Sequence, residues 1–194
     1  MKTSQFYDTI SPLYFVIDFF LKPHKRLLVQ EVNNYPNCSI LEVGVGHGTH
    51  LTKYLSKRIT GIDLSAEMLQ NAKKNNPSTI TLLHMDATNL SQLNQKFDVV
   101  VLAHVLSTTP NPNKILEEAL NLLPTNGKII ILNHFSNSPV ARFFEKLFQP
   151  VSKLFHFQSY FPLENLTALK NVRPVKALKF GVLNSYQLLV FEKP

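Results

Sequence analysis

Three alternating glycines follow directly after a short apolar segment, and their spacing predicts a ligand-binding turn. The apolar segment covers residues 39–43, the glycines are Gly44, Gly46 and Gly48, and a helix-like pattern starts at His50. Glycine accepts positive φ angles, and because it lacks a Cβ, a ligand can lie directly against its backbone. The stretch therefore predicts a strand, a tight turn and the start of a helix, with a ligand held at the turn.

An acidic residue further along the chain extends this pattern. Asp63 follows the apolar run 59–62, which is typical of a second strand. A carboxylate at the tip of the second parallel strand can accept hydrogen bonds from both hydroxyls of a ribose. The glycine turn and Asp63 together indicate a nucleoside-containing cofactor that lies across the first two strands of a parallel sheet.

The spacing of the glycines distinguishes between cofactors. Dinucleotide-binding loops have the pattern G-x-G-x-x-G, in which the third glycine eases helix packing and the pyrophosphate lies at a helix N-terminus. Here the pattern is G-x-G-x-G, and Thr49 stands where the third glycine of the dinucleotide pattern would be. Glu42, two residues before the first glycine, would repel a pyrophosphate, whereas it suits a cationic amino-acid group.

The rest of the chain alternates between helix-like and strand-like segments, and the final two strand-like segments are joined near Asn184. This alternation predicts an α/β fold with a doubly wound parallel sheet, and the short connection predicts an antiparallel C-terminal hairpin. Ser65 and Pro112 stand where helix starts are favoured. The predicted helices cover residues 13–21, 24–33, 52–57, 66–75 and 112–122, and the predicted strands cover 39–43, 59–63, 79–85, 97–103, 128–133, 178–182 and 186–191.

In their order along the chain, these features resemble the class I S-adenosylmethionine (SAM)-dependent methyltransferases. The resemblance covers roughly residues 39–133, and it implies a Rossmann-like, mostly parallel sheet with SAM as cofactor and S-adenosylhomocysteine as product. For Asp86 a second interpretation stays open, in which an ordinary surface aspartate caps a turn. The resemblance assigns these residues to the cofactor: Glu42, Gly44, Gly46 and Gly48 in the glycine loop, Asp63 at the ribose, Leu64 and Met68 beside the adenine, Asp86 and Ala87 at the adenine amino group, and His104 beneath the sulfonium.

Residues outside this core extend the resemblance to a substrate class. The segment 133–135 (Asn-His-Phe) closes the fifth strand, and tyrosines stand near the N-terminus. With the SAM motifs, they resemble the bacterial phospholipid N-methyltransferases, which convert phosphatidylethanolamine to its mono-, di- and trimethyl forms. The implied substrate contacts are Tyr7, Tyr14 and either Lys25 or Arg26 at the lipid phosphate, and the candidate catalytic residues, which would take the proton of the amine, are Tyr7, Tyr14, His104 and His134.

The composition favours an anionic partner. The 194 residues include 20 Lys or Arg and 13 Asp or Glu, and the resulting net charge of +7 suits either a nucleic acid or a phospholipid surface. The apolar run 13–21 and the aromatic, basic stretch 135–161 suit insertion into a membrane surface, or alternatively burial in the core. No motif for flipped bases follows the fourth strand, and the single cysteine, Cys38, excludes a Cys-rich metal site.

We therefore expect a cytoplasmic, peripherally membrane-associated enzyme that acts on a phospholipid at an anionic membrane, without nucleic acid and without a metal. The expected organisation is one methyltransferase domain, residues 1–194. Its parts are an N-terminal helical lid or membrane-contacting segment (1–38), a SAM-binding core (39–133), an aromatic and basic insertion (134–177) and a hairpin (178–194). The alternatives are a methyltransferase of a soluble small molecule or quinone precursor, a nucleic-acid methyltransferase, and a SAM-binding protein without activity.

Overall fold

A seven-stranded sheet forms the centre of the computed structural model, which describes residues 24–135, 161–181 and 184–194. The strands are β1 (Ile40–Val43), β2 (Ile59–Asp63), β3 (Thr81–His84), β4 (Val99–Ala103), β5 (Lys128–His134), β6 (Arg173–Phe180) and β7 (Tyr186–Glu192). Their order across the sheet is β3-β2-β1-β4-β5-β7-β6. The first five strands pair in parallel, whereas β7 runs antiparallel to both of its neighbours, β5 and β6.

Helices and short helical turns connect the strands. The α-helices are α1 (24–32), α2 (Ala66–Asn75) and α3 (Pro112–Leu122), and the 3₁₀ segments are Leu51–Lys53, Ala87–Leu93, Leu163–Asn165 and Thr167–Asn171. The Ser65 hydroxyl accepts a hydrogen bond from the backbone N–H of Met68 at 3.1 Å, which confirms the predicted N-cap of α2. Pro112 is the first residue of α3, as predicted, because the first turn of a helix needs no N–H donor there.

Both faces of the central part of the sheet are covered, which confirms the predicted doubly wound α/β architecture with an antiparallel end. All five residues of β4 are buried, and successive side chains point to opposite faces of the sheet. Val100 and Leu102 belong to the core that includes α3, whereas Val99 and Val101 belong to the core that includes α1 and α2. β4 therefore reads as a continuous apolar run, as expected for a strand without a solvent-exposed face.

The predicted helix over 52–57 is wrong, because the glycine loop leads only into the single 3₁₀ turn Leu51–Lys53. The side chain of Asn33, just after α1, binds the backbone here in both directions. Its Nδ2 donates to the carbonyl of Lys53 at 3.0 Å, and its Oδ1 accepts from the N–H of Leu55 at 2.8 Å. These two bonds satisfy backbone groups that a longer helix would have used.

The predicted hairpin is antiparallel as expected, but β6 starts at Arg173, inside the segment 134–177 that the sequence assigned to an insertion. Every residue of β6 before Phe180 is exposed, so the strand lacks the apolar alternation that would have marked it. Its start also contains Pro174, and the pairing with β7 shifts between Pro174 and Lys176. Such irregularities are typical of an edge strand.

The strands β3 and β4 start two residues later than predicted, at Thr81 and Val99. The predicted helix over 13–21 lies outside the described residues. In the ranges that the structure describes, no helix combines the length and the apolar character that a membrane span requires.

Candidate active site

The glycine loop forms the tight turn that its sequence predicts. The φ angles of Gly44, Gly46 and Gly48 are +74°, +55° and +61°. They lie in the left-handed region, which is unfavourable for most residues other than glycine. A Cβ on Gly44 would lie only 2.3 Å from Cγ2 of Val105, in the segment that follows β4. The Gly44 N–H donates to the carbonyl of Ile62 at 2.8 Å, so the loop lies between the ends of β2 and β4.

Asp63 joins this loop to the start of α2. Its Oδ2 accepts a hydrogen bond from the N–H of Gly46 at 2.8 Å, and its Oδ1 accepts from the N–H of Ser65 at 2.9 Å. Burial raises the pKa of Asp63, whereas these backbone donors lower it. Since each carboxylate oxygen can accept more than one hydrogen bond, Asp63 retains acceptor capacity for a diol.

Glu42 lies beneath the loop, where it is completely buried. One carboxylate oxygen lies 2.6 Å from Nε2 of His50, and the other accepts a hydrogen bond from the Tyr54 hydroxyl at 2.6 Å. A buried carboxylate needs such donors, and neither His50 nor Tyr54 was predicted from the sequence to supply one. A direct contact between Glu42 and the amino-acid end of a cofactor stays a prediction, since the described contacts of Glu42 support the loop.

We expect Tyr54→Phe to lower the free energy of unfolding by about 1–3 kcal/mol, because one oxygen of the buried Glu42 loses its donor. The burial that raises the pKa of Tyr54 well above its ordinary value keeps the hydroxyl protonated as a donor. Urea denaturation measures the change. Tyr35→Phe is the matched control, because the Tyr35 ring is only half-buried. Equal stability losses in the two variants would contradict the expectation.

The residues predicted to surround an adenine lie along the ends of β2 and β3. Asp86 is exposed, and its Oδ1 accepts from both the N–H and the hydroxyl of Thr88 at 2.8 Å. It therefore caps the 3₁₀ segment that follows, as the alternative interpretation holds, and uses only one carboxylate oxygen to do so. Leu64 is 39% exposed, whereas Met68 is buried and Ala87 packs partly against the core. Their contacts with an adenine stay predictions.

The structure brings the two histidines that are predicted as catalytic residues to one aromatic residue, Tyr186. We call the region around Tyr186 the acceptor side. His104 follows β4 and His134 ends β5, and their ring centroids lie 5.9 Å and 5.5 Å from the centroid of Tyr186. The ring of His24, from α1, lies 4.2 Å from Tyr186. Neither His24 nor Tyr186 was predicted from the sequence. The pairing of β5 with β7 places Tyr186 directly opposite His134, but no local pattern marks His24.

His104 is a neutral imidazole at physiological pH. Burial, followed by the nearby bases His24, Lys25, His50 and His134, lowers the pKa of His104 from 6.5 to about 3. Its Nε2 is shielded from solvent and has no hydrogen-bond partner among the residues that the structure describes. Of the two predicted phosphate contacts, Lys25 is thus close enough for its charge to act on His104, and Arg26 is exposed.

The depressed pKa makes the stability of the protein depend on pH. Below pH 6.5 the unfolded chain binds a proton at His104, whereas the folded chain binds it only near pH 3. The contribution of neutral His104 to the free energy of unfolding is therefore fully present above pH 6.5 and is lost as the pH falls. Between pH 7.5 and 5.5 we expect a loss of about 1.4 kcal/mol from His104. The His104→Asn variant should lack this loss of stability, and asparagine tolerates the φ of +59° at this position. Denaturation of the unsubstituted protein and of the variant at pH 7.5 and 5.5 measures the loss. An equal loss of stability in the two proteins would contradict the expectation.

Several predicted residues lie outside the described part of the chain. They include Tyr7, Tyr14 and the aromatic residues between 136 and 160. The two ends of the aromatic stretch are described, and Phe135 and Phe161 are buried and stack with their ring centroids 5.8 Å apart. At these two positions the aromatic side chains belong to the core. Among the described residues, no three His, Cys, Asp or Glu side chains form a group that could hold a metal ion.

The chain is similar to known methyltransferases in sequence. A family profile described as a methyltransferase domain matches residues 41–131. The chain is 30% identical to the phosphatidylethanolamine N-methyltransferase of Cereibacter sphaeroides over 162 residues, which cover 79% of each protein. It is 28% identical to the demethylmenaquinone methyltransferase of Renibacterium salmoninarum over 137 residues, which cover 67% of this chain and 57% of that protein.

The fold is also similar to a solved structure. The N-methyltransferase NodS from Bradyrhizobium japonicum WM9, in complex with S-adenosylhomocysteine, superposes with a TM-score of 0.70 over 90% of this chain and 88% of that chain. The sequence identity is 18%, so this likeness concerns the fold alone.

Proposed function

This chain belongs to the class I SAM-dependent methyltransferases, and we propose that its methyl acceptor is the amine of phosphatidylethanolamine and of its mono- and dimethyl forms. SAM is the cofactor, and when bound it supplies an electrophilic methyl group. The methyl acceptor, the membrane surface at which the reaction occurs and the cytoplasmic location are the proposed parts.

The residues of the site fit SAM. The loop of positive-φ glycines leaves a cradle that side chains would fill, and the N–H of Gly46 is held by Asp63. Asp63 retains acceptor capacity for the ribose hydroxyls, and the loop suits the amino-acid end of the cofactor. The segment that starts at His104 would lie beneath the sulfonium, at the carboxyl ends of the parallel strands.

One observation carries the choice of acceptor: the likeness to the Cereibacter sphaeroides phosphatidylethanolamine N-methyltransferase covers 79% of each chain. The family profile alone covers residues 41–131, so the likeness also includes residues on the flanks of the SAM-binding core. In an open α/β sheet, such flanking segments contribute to the ligand crevice at the carboxyl ends of the strands.

The electrostatics of the acceptor side suit an amine substrate. A phospholipid amine is mostly protonated at neutral pH and must lose a proton before it can attack a methyl group. The burial and neighbouring bases that lower the pKa of His104 would also favour the neutral form of an amine bound there. Positioning of the amine lone pair in line with the methyl group supplies most of the remaining rate. The side chains proposed to contact the acceptor are Tyr7, Tyr14, Lys25, His104 and His134.

The net charge supports the proposed membrane surface. With a charge of +7, the protein is attracted to an anionic leaflet. Lys25 is proposed to pair with the lipid phosphate, since its charge already acts on His104 at the acceptor side.

A quinone precursor is the second candidate acceptor, because the demethylmenaquinone methyltransferase of Renibacterium salmoninarum is 28% identical over 67% of this chain. The chain spans only 57% of that protein, whereas it spans 79% of the phospholipid enzyme. The phospholipid is therefore the favoured acceptor.

Methyl-labelled SAM and two sets of vesicles test the proposal. One set contains phosphatidylethanolamine with phosphatidylglycerol, and the other contains phosphatidylcholine with the same amount of phosphatidylglycerol. We expect label in lipid from the first set only, and chromatography of that lipid counts the methyl groups. A third set without phosphatidylglycerol should show slower transfer if an anionic surface recruits the enzyme.

The Asp63→Asn variant is the negative control for the labelling experiment, since it should bind SAM poorly. Label in neither set, with SAM binding established by calorimetry, would exclude phosphatidylethanolamine as the acceptor. Label in a demethylated quinone under the same conditions would favour the second candidate.

A further inference from the structure

Three histidines and two other aromatic residues from five separate segments meet at the acceptor side of the sheet. We call them the Tyr186 cluster: His24 of α1, His104 after β4, His134 of β5, Phe180 of β6 and Tyr186 of β7. The ring centroids of His24 and His104 are 6.0 Å apart, and His24 lies 5.1 Å from Phe180. Segments distant in sequence thus form one aromatic wall.

Two nitrogen atoms of this cluster are buried and have no hydrogen-bond partner in the described part of the chain. They are Nδ1 of His24 and Nε2 of His104. Leaving buried polar atoms unpaired is costly, so most such atoms in folded proteins bind another polar group or an ordered water. A neutral imidazole has one nitrogen that accepts and one that donates, and which nitrogen does which can follow the ligand. The two atoms are therefore suited to a ligand with more than one polar hydrogen.

The charges around the cluster oppose a cationic ligand. Among the described residues, the groups that lower the pKa of His104 by their charge are His24, Lys25, His50 and His134; all are bases, and Lys25 is positively charged at neutral pH. The Tyr186 cluster itself consists of histidine, phenylalanine and tyrosine side chains, so it supplies no carboxylate that could pair with a cation. A neutral amine that donates N–H bonds fits these surroundings better than an ammonium ion.

We propose that Nδ1 of His24 and Nε2 of His104 accept hydrogen bonds from the two N–H groups of a neutral primary amine, while Tyr186 and Phe180 form the apolar wall beside its alkyl chain. This inference rests on the proposed function, and it assigns substrate contacts to His24, Phe180 and Tyr186.

The proposal implies that the three methyl transfers differ in their need for His24. A neutral primary amine has two N–H groups, its monomethyl form has one, and its dimethyl form has none. Removing an acceptor at position 24 should therefore affect phosphatidylethanolamine most and the dimethyl lipid least.

Kinetics with the three lipids as separate substrates test this order. We expect His24→Phe, which keeps a ring but loses the acceptor, to raise the KM for phosphatidylethanolamine about tenfold, with a smaller effect on kcat. The KM for the dimethyl lipid should change less than twofold. Gln30→Ala, at an exposed position of the same helix, is the matched control and should change neither value. Equal losses with all three lipids would overturn the proposal.

A binding experiment separates this proposal from the proposed function. Nitrogen-15 NMR of the histidine rings is recorded on protein loaded with S-adenosylhomocysteine, before and after addition of dihexanoyl phosphatidylethanolamine. We expect the signals of His24 and His104, assigned with His24→Phe and His104→Asn, to shift with this lipid but not with dihexanoyl phosphatidylcholine. Absent shifts, or equal shifts with both lipids, would overturn the site. If vesicles are not methylated but the amine lipid alone shifts these signals, the proposed function fails and the amine site stands.

Discussion

Asp63→Asn should weaken SAM binding about 100-fold or more. Both carboxylate oxygens of Asp63 accept backbone N–H bonds, from Gly46 and from Ser65. An asparagine offers only one oxygen, so its NH₂ group must face one of these two N–H donors. Hydrogen bonds to a charged group contribute about 1.5–3 kcal/mol each, and about 2.8 kcal/mol corresponds to a 100-fold change in affinity. Calorimetric titration with SAM measures the loss.

The matched control for this substitution is Asp86→Asn. The single oxygen Oδ1 of Asp86 accepts both bonds from Thr88, so an asparagine oxygen can replace it without a clash. We expect this variant to keep its fold and to lose less than tenfold in SAM affinity. If Asp63→Asn bound SAM as well as Asp86→Asn did, Asp63 would not have the central role in the cofactor site.

Gly44→Ala should both destabilise the protein and abolish methyl transfer. The residue has a φ of +74°, and the added Cβ would lie 2.3 Å from Cγ2 of Val105. The left-handed conformation and the overlap together should lower the free energy of unfolding by about 3 kcal/mol. A shift of the glycine loop would also change the surface that we propose for the cofactor. Urea denaturation and the rate of transfer from labelled SAM measure the two effects.

A double variant separates the two causes. Val105→Ala removes the atom at 2.3 Å and leaves the Cβ of residue 105 at 3.7 Å, so the double variant Gly44→Ala/Val105→Ala retains only the backbone strain. We expect it to be less destabilised than the sum of the two single variants. Additive losses would mean that the overlap with Val105 is not the cause.

Much of the fold from β1 to α3 could be predicted because its signals are local. The glycine turn, the N-cap Ser65 and the start of α3 at Pro112 each depend on residues that are adjacent in sequence. Buried parallel strands such as β4 also give a continuous apolar run. These features determine local backbone conformation directly, so the order of elements and the class of cofactor follow from them.

The remaining features depend on contacts between distant segments. The helix predicted over 52–57 is replaced by one turn because Asn33 binds the backbone of Lys53 and Leu55, and no pattern near residue 55 indicates this. Every residue of β6 before Phe180 is exposed, so its hydrophobic pattern is absent although it pairs with β7 from Arg173 to Phe180, with one shift between Pro174 and Lys176.

The same limit applies to the candidate site. His104 follows β4 and His134 ends β5, so both could be assigned to the carboxyl end of the sheet. Their neighbours His24 and Tyr186 come from α1 and β7, which only the complete tertiary structure brings together. The position of Tyr186 depends on the register of β7 against β5, which cannot be predicted from the local sequence of either strand.

The place of β7 in the sheet has a consequence for how the chain reaches its native state. β7 follows β6 in sequence but is inserted between β5 and β6, and it pairs with every residue of β5 from Lys128 to His134. Until residues 186–192 have been synthesised, the central isoleucines of β5 stand at an open strand edge, and such edges promote aggregation. Because the pairing joins distant segments, it forms slowly. We therefore expect nascent chains that stop before β7 to require a chaperone to stay soluble.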